Sequence, residues 1–69
     1  MEDFKITLAA ARVNKGLTQA EVAKALGVSN KTVGNWENGV TIIDARSLVT
    51  LGEMYGVPID HIFLPEKTT

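Results

Sequence analysis

The segment TQAEVAKALGVSNKTVGNWEN, which spans residues 18–38, decides the fold. It opens with Thr18 followed three residues later by Glu21, the capping-box pattern in which a hydroxyl and a carboxylate close the first turn of a helix. This helix is expected to begin at Gln19. It should end at Gly27, because glycine readily adopts the left-handed conformation that follows a helix.

A second helix is predicted directly after the first. Ser29 is another N-cap residue type, and the helix should run from Asn30 to about Asn38, where the following Gly39 completes a stop and turn signal. Two helices joined by so short a turn form a compact angular pair. The sequence therefore predicts a helix-turn-helix unit over about residues 18–38.

Upstream of this pair, apolar residues recur at helical spacing and predict a first helix. Its apolar side is expected to comprise Phe4, Leu8, Ala11, Val13 and Leu17.

Downstream, two more helices are predicted. Asp44 is the N-cap of one that Gly56 ends, and Pro58 stands near the start of a short last helix that Pro65 ends. The apolar residues of these helices are Leu48, Leu51 and Tyr55 in the first, and Ile59, Ile62 and Phe63 in the second.

Length and periodicity together predict one all-α domain over residues 1–69, a compact five-helix bundle with a frayed tail at 65–69. A chain of this size buries only about 60% of its unfolded surface, which leaves room for one small core. No strand pattern or internal repeat is evident.

Several classes of function are not expected. The chain has no cysteine and one histidine, His61, so neither a metal site nor a cofactor is predicted. The eight carboxylates are scattered without a paired arrangement, so we expect neither an enzyme nor a small-molecule ligand. No leader or membrane span is evident, which favours the cytoplasm of a bacterial cell, with the gene carried by the cell or by a phage or mobile element.

The net charge of −1 and the pI of about 5.7 do not indicate a nucleic-acid partner. Nonspecific DNA binding is driven mainly by basic groups that neutralise phosphates. Any case for DNA must therefore rest on where particular residues lie.

The helix from Asn30 has two chemically different sides. Val33 and Trp36 lie on one, and Lys31 and Asn35 lie opposite, with Asn30 in the first turn. In a helix-turn-helix the start of the second helix enters the major groove, where asparagine can pair with adenine and lysine with guanine. The alternative is that these polar residues form only a solvated face.

Gly34 lies between these two sides. It is either merely tolerated there, at a cost of about 1 kcal/mol, or it allows the helix to approach DNA closely.

Three segments, KGLTQAEVA at 15–23, LGVS at 26–29 and WENG at 36–39, resemble the phage repressor and Cro family, also called the XRE family. The resemblance extends without a gap from about Phe4 to Phe63. It implies a lambda repressor-like fold and binding to double-stranded DNA, neither of which composition shows.

The resemblance also implies roles for individual residues. The base-reading positions are Asn30, Lys31 and Asn35, and the candidate contacts to the DNA backbone are Thr18, Gln19, Ser29, Asn38, Thr41 and Arg12. Gln19 matches the family glutamine that binds a phosphate, although it could be only a polar first-turn residue. Asn38 could likewise serve only as a helix stop.

Arg12 and Glu37 coincide with a family pair that forms a partly buried salt bridge. We assign Arg12 first to structure and second to phosphate, and removal of one partner should cost about 3–5 kcal/mol if burial is complete. Trp36 could be a platform for base stacking, but its place on the packed side favours the core.

The loop after the reading helix departs from the family. Relatives carry basic residues and a proline there, whereas this chain has Val40, Thr41, Ile42 and Ile43. DNA affinity is therefore expected to be modest and less dependent on salt. The three apolar residues could touch a thymine methyl group or a protein partner, or one or two could turn inward.

A homodimer is expected, because one short helix reads only a few base pairs. The resemblance implies a dimer surface that comprises Ile43, Val57, Pro58, Ile59 and His61, with burial in the domain core as the alternative for the apolar members. His61 is expected to be an exposed polar residue.

The favoured hypothesis is a Cro-like or repressor-like transcriptional regulator that reads a near-palindromic operator. One alternative is an antitoxin that binds both operator and toxin. Another is a protein-interaction module that has lost DNA binding, for which the apolar loop and the negative charge argue.

Overall fold

The structure, a computed structural model, describes residues 4–65. In chain order its elements are β1 (Ile6–Thr7), α1 (Leu8–Asn14), α2 (Gln19–Leu26), α3 (Asn30–Glu37), α4 (Ala45–Tyr55), a 3-10 helix (Ile59–His61) and β2 (Ile62–Phe63). The fold is mostly helical and contains a helix-turn-helix pair, α2 and α3, so the predicted all-α class is confirmed.

The pair α2 and α3 begins and ends where the sequence predicted. The Thr18 hydroxyl accepts from the Glu21 amide at 3.1 Å, and the Glu21 carboxylate accepts from the Thr18 amide at 2.8 Å. Gly27 ends α2 in the left-handed region at φ 73°. The Ser29 hydroxyl then caps α3 by accepting from the Thr32 amide at 3.0 Å.

Helix α1 is shorter than predicted. The Thr7 hydroxyl accepts from the Ala10 amide at 3.1 Å, so Thr7 is the N-cap and Phe4 lies outside the helix. The prediction that Phe4 and Val13 belong to the apolar side is wrong, because these side chains are 56% and 61% exposed. Leu8 of the same set is buried, as expected.

The predicted fifth helix is reduced to the three-residue 3-10 helix. After it the backbone becomes extended at Ile62, which pairs in parallel with Ile6, while Phe63 pairs with Thr7. Backbone hydrogen bonds to a distant strand replace those that would have continued the helix. Periodicity along the chain gives no sign of such a pairing.

The core forms where the four helices and the strand pair meet. Its buried apolar residues are Leu8, Ala11, Val22, Ala23, Val33, Trp36, Ile43, Leu51, Tyr55 and Ile62. Ile43 was expected at a dimer or partner surface, and that expectation is wrong, because its side chain is 7% exposed and packs in the core. This inward turn is the one that the sequence left open for the apolar loop.

Within residues 4–65 no helix has the length and apolar character needed to cross a bilayer. The predicted frayed tail lies outside the described residues, except for Pro65.

Candidate nucleic-acid interface

The outer side of α3 carries the three residues predicted to read bases. Asn30 and Lys31 are exposed in its first turn, and Asn35 is half-buried one turn later. On the opposite side Val33 and Trp36 are buried at 1% and 7% exposure. Packing of this apolar side fixes which side of α3 remains available to a ligand.

The N-termini of α2 and α3 present backbone N–H groups. Side-chain caps satisfy one amide in each first turn, those of Glu21 and Thr32. The first amides of each helix have no acceptor within the helix, and the aligned peptide dipoles place partial positive charge at that end. A phosphate oxygen is therefore a suitable ligand for either helix start.

The Gln19 side chain crosses from α2 to α3. Its Nε2 donates to Glu37 Oε1 at 2.9 Å. Its amide also lies over Gly34, where Nε2 and Oε1 are each 3.7 Å from the position that a Cβ would occupy. A Cβ at this position would therefore only touch the Gln19 amide, and the packing of that amide over α3 is a contact that sequence reasoning did not anticipate.

The structure brings Arg12 and Glu37 together. Arg12 Nε donates to Glu37 Oε2 at 2.7 Å, and Nη2 donates to Oε1 at 3.2 Å. Arg12 Nη1 also donates to the Leu17 carbonyl at 2.9 Å. The Arg12 side chain is 14% exposed and that of Glu37 is 5% exposed. Arg12 thus commits three of its N–H groups to the protein and joins α1 to the end of α3.

The Arg12 guanidinium keeps its charge in this ion pair. Hydrogen bonding to the Glu37 carboxylate raises the pKa of Arg12, although desolvation opposes the rise. The guanidinium therefore stays charged and neutralises a carboxylate that lies on α3.

The loop after α3 folds back on that helix. The amides of Val40 and Thr41 both donate to the Asn35 carbonyl, at 2.9 and 3.4 Å. Val40 is 49% exposed and Ile42 66% exposed, so two of the three apolar loop residues face solvent.

One further backbone candidate and one missed cation flank this loop. Asn38 caps α3 by donating to the Gly34 carbonyl at 2.9 Å, which accounts for it as a helix stop, and its side chain is exposed. Arg46 is exposed in the first turn of α4, and sequence reasoning did not single it out. Its position two residues after the Asp44 N-cap was the available signal.

Away from the helix-turn-helix, a shallow apolar groove of about 420 Å³ separates α4 from the 3-10 helix. Val49, Gly52, Val57, Pro58 and Ile59 contribute to its walls. Three of the predicted dimer residues are therefore gathered there.

His61, the fourth remaining candidate, is half-buried and lies against the Phe4 ring with centroids 5.8 Å apart. The expectation that it is exposed is not met.

A capped helix pair with a polar outer side defines a helix-turn-helix domain. The sequence profile of the helix-turn-helix family matches residues 8–62, and the chain belongs to that family, in the XRE group that the sequence resembles. It is a domain of the type found in DNA-binding transcription regulators.

The chain is similar to the HTH-type transcriptional activator BcrR of Enterococcus faecalis. The two are 31% identical over 65 residues, which cover 94% of this chain and 32% of that protein. The chain thus spans about a third of the length of this relative.

Proposed function

We propose that the protein is a Cro-like or repressor-like transcriptional regulator that reads a near-palindromic operator with α3. The observation that carries this proposal is the exposure of Asn30 and Lys31 at a capped helix start, opposite the buried Val33 and Trp36. The geometry leaves the polar side open and holds the helix by its apolar side. Each good base pairing by such residues contributes about 1–3 kcal/mol of discrimination.

Neutral groups supply much of the proposed phosphate contact. The first-turn amides of α2 and α3 would bind phosphates, assisted by the exposed residues Ser29 and Thr41. The Thr18 hydroxyl already donates to the Glu21 carboxylate at 3.2 Å, so Thr18 would contribute mainly as the cap of α2. Lys31 and Arg46 are exposed cations on α3 and at the start of α4, and Arg12 is largely committed to Glu37. Because the salt dependence scales with the number of phosphates neutralised by cations, we expect a shallow salt slope.

Operator binding is proposed to involve a homodimer. A second copy would pack against the apolar groove at Val57, Pro58 and Ile59, because Ile59 is 46% exposed there and contiguous exposed apolar surface is typical of interaction sites. With Ile43 buried, the loop surface proposed for a thymine methyl group or a protein partner is reduced to Val40 and Ile42.

Selection of bound sequences from a random duplex pool at low salt tests operator reading. A near-palindromic consensus is expected, and Asn30→Ala should relax preference at one or two positions rather than weaken all sequences equally. Absence of any enriched sequence would refute the proposal and favour a protein-interaction module.

Transcriptional activation is a second candidate, favoured by the similarity to a protein named as an activator. Repression and activation are distinguished by placing the selected operator either upstream of a reporter promoter or overlapping it. Lower reporter output from the overlapping site supports repression, and higher output from the upstream site supports activation.

A further inference from the structure

The Glu37 carboxylate joins three helices through one nearly buried acceptor group. Its Oε2 accepts from Arg12, while its Oε1 accepts from both Arg12 and Gln19. Because a carboxylate has no hydrogen to donate, the atom of Gln19 that faces it must be the amide nitrogen. The orientation of the Gln19 amide is therefore set by chemistry.

The Gln19 amide lies over the side of α3 that carries Gly34 and Glu37. Gly34 and Glu37 are three residues apart and so lie on the same side of that helix. The amide lies over Gly34, where an added Cβ would come within 3.7 Å of it, and Glu37 accepts one N–H of Nε2. The nitrogen carries a second N–H, for which residues 4–65 provide no acceptor.

Charge balance makes this arrangement compatible with DNA. A lone carboxylate beside a phosphate would repel it, but Arg12 neutralises Glu37 through two hydrogen bonds. The cluster therefore offers the polarised N–H of Gln19 without a net negative charge.

We propose that Glu37 is a positioning residue for phosphate binding, which holds the Gln19 amide so that its second N–H meets an operator phosphate. This inference rests on the proposed function of operator binding. The phosphate contact of α2 then depends on a residue of α3. The position of the protein on the DNA backbone is therefore linked to the position of α3 along the bases.

The proposal is tested with a set of operator duplexes, each of which carries a neutral methylphosphonate in place of one phosphate, at a different position in each duplex. For the wild-type protein we expect about a tenfold loss of affinity at one phosphate in each half-site, the size of one charge-assisted hydrogen bond. Gln19→Met should remove that sensitivity.

Glu37→Gln should remove it as well, because Arg12 and Gln19 then compete for a single acceptor oxygen. The sensitivity at the other phosphates should persist in both variants. Glu53→Gln, the same chemical change at an exposed site on α4, should leave the pattern of sensitive phosphates unchanged. Because Glu53 lines the apolar groove, an equal loss of affinity for every duplex would report on that groove and not on Gln19.

Two results would overturn the proposal while leaving operator binding intact. One is a Glu37→Gln variant that remains sensitive at the phosphate that Gln19 contacts and binds every duplex more weakly by the same factor. The other is a wild-type profile with no phosphate that depends on Gln19. Failure to select any operator would instead refute the proposed function.

A measurement on the wild-type protein avoids any question of folding. In NMR spectra of the free protein, one side-chain amide proton of Gln19 should be shifted by its bond to Glu37. The second should shift only with the intact operator and not with the methylphosphonate at the mapped position. Two unshifted protons in the free protein would contradict the positioning role.

Discussion

Replacing Arg12 by methionine should strongly destabilise the domain, because it leaves the Glu37 carboxylate almost buried with Gln19 as its remaining side-chain donor. Loss of one partner of a buried pair costs about 3–5 kcal/mol, whereas exposed pairs contribute about 0.2–1 kcal/mol. With side chains only 14% and 5% exposed, the pair lies near the buried limit. We expect a loss of about 2–4 kcal/mol.

That loss is large for so small a domain. At roughly 0.05–0.15 kcal/mol per residue, the whole free energy of unfolding is on the order of 3–10 kcal/mol. The melting temperature should fall by roughly 10–30 °C. Urea denaturation followed by the fluorescence of Trp36, the single tryptophan, measures the change in free energy directly.

The double variant Arg12→Met with Glu37→Gln should be more stable than Arg12→Met alone by at least about 1 kcal/mol, because no uncompensated charge remains buried. Glu53→Gln is the control for loss of an exposed carboxylate. An Arg12→Met variant within about 0.5 kcal/mol of wild type, or a double variant that is less stable than the single one, would refute the reasoning.

Three further predictions concern pH and glycine. Hydrogen bonds from the Ser47 hydroxyl and amide hold the pKa of Asp44 below its ordinary 3.8. The contribution of Asp44 to stability is therefore complete above pH 3.8 and is lost as the pH falls further. Asp44→Asn should flatten the acid side of a plot of unfolding free energy against pH, and an unchanged curve would contradict this. Burial raises the pKa of Tyr55 from 10.0 to about 12, so the stability of the domain should decline as the pH rises through that interval. Absorbance titration of this single tyrosine measures the pKa. Tyr55→Phe should abolish the decline with little loss of stability, since the hydroxyl has no hydrogen-bond partner within residues 4–65. Gly34→Ala should stabilise the protein by up to about 1 kcal/mol, because alanine favours a helix and its Cβ has room. Gly52→Ala should not stabilise it, because the new Cβ would lie 3.0 Å from the Val57 carbonyl oxygen. Equal melting temperatures for the two variants would count against this difference.

The helix ends that could be read from the sequence are those that depend on a few adjacent residues. The Thr18 and Glu21 capping box, the Asp44 cap and the glycine stops at Gly27 and Gly56 all act within one turn, so their signals are local. The outer position of the three candidate base-reading residues follows from helical geometry in the same way.

The features that could not be read involve contacts between distant parts of the chain. The apolar spacing of Phe4 and Leu8 predicts a longer helix, and it therefore gives no sign that Thr7 is the N-cap. The contact of Gln19 with Glu37 depends on the angle between two helices, which spacing along one helix does not give. The burial of Ile43 likewise depends on the path of its loop over the core.

The parallel pairing of Ile6 with Ile62 and of Thr7 with Phe63 has a mechanical consequence. Because both strands run in the same direction, tension applied to the two ends of the domain pulls them past each other along their length. The bonds between them then share the load in shear instead of opening one after another. When the domain is stretched from its ends, this small contact is the first to resist.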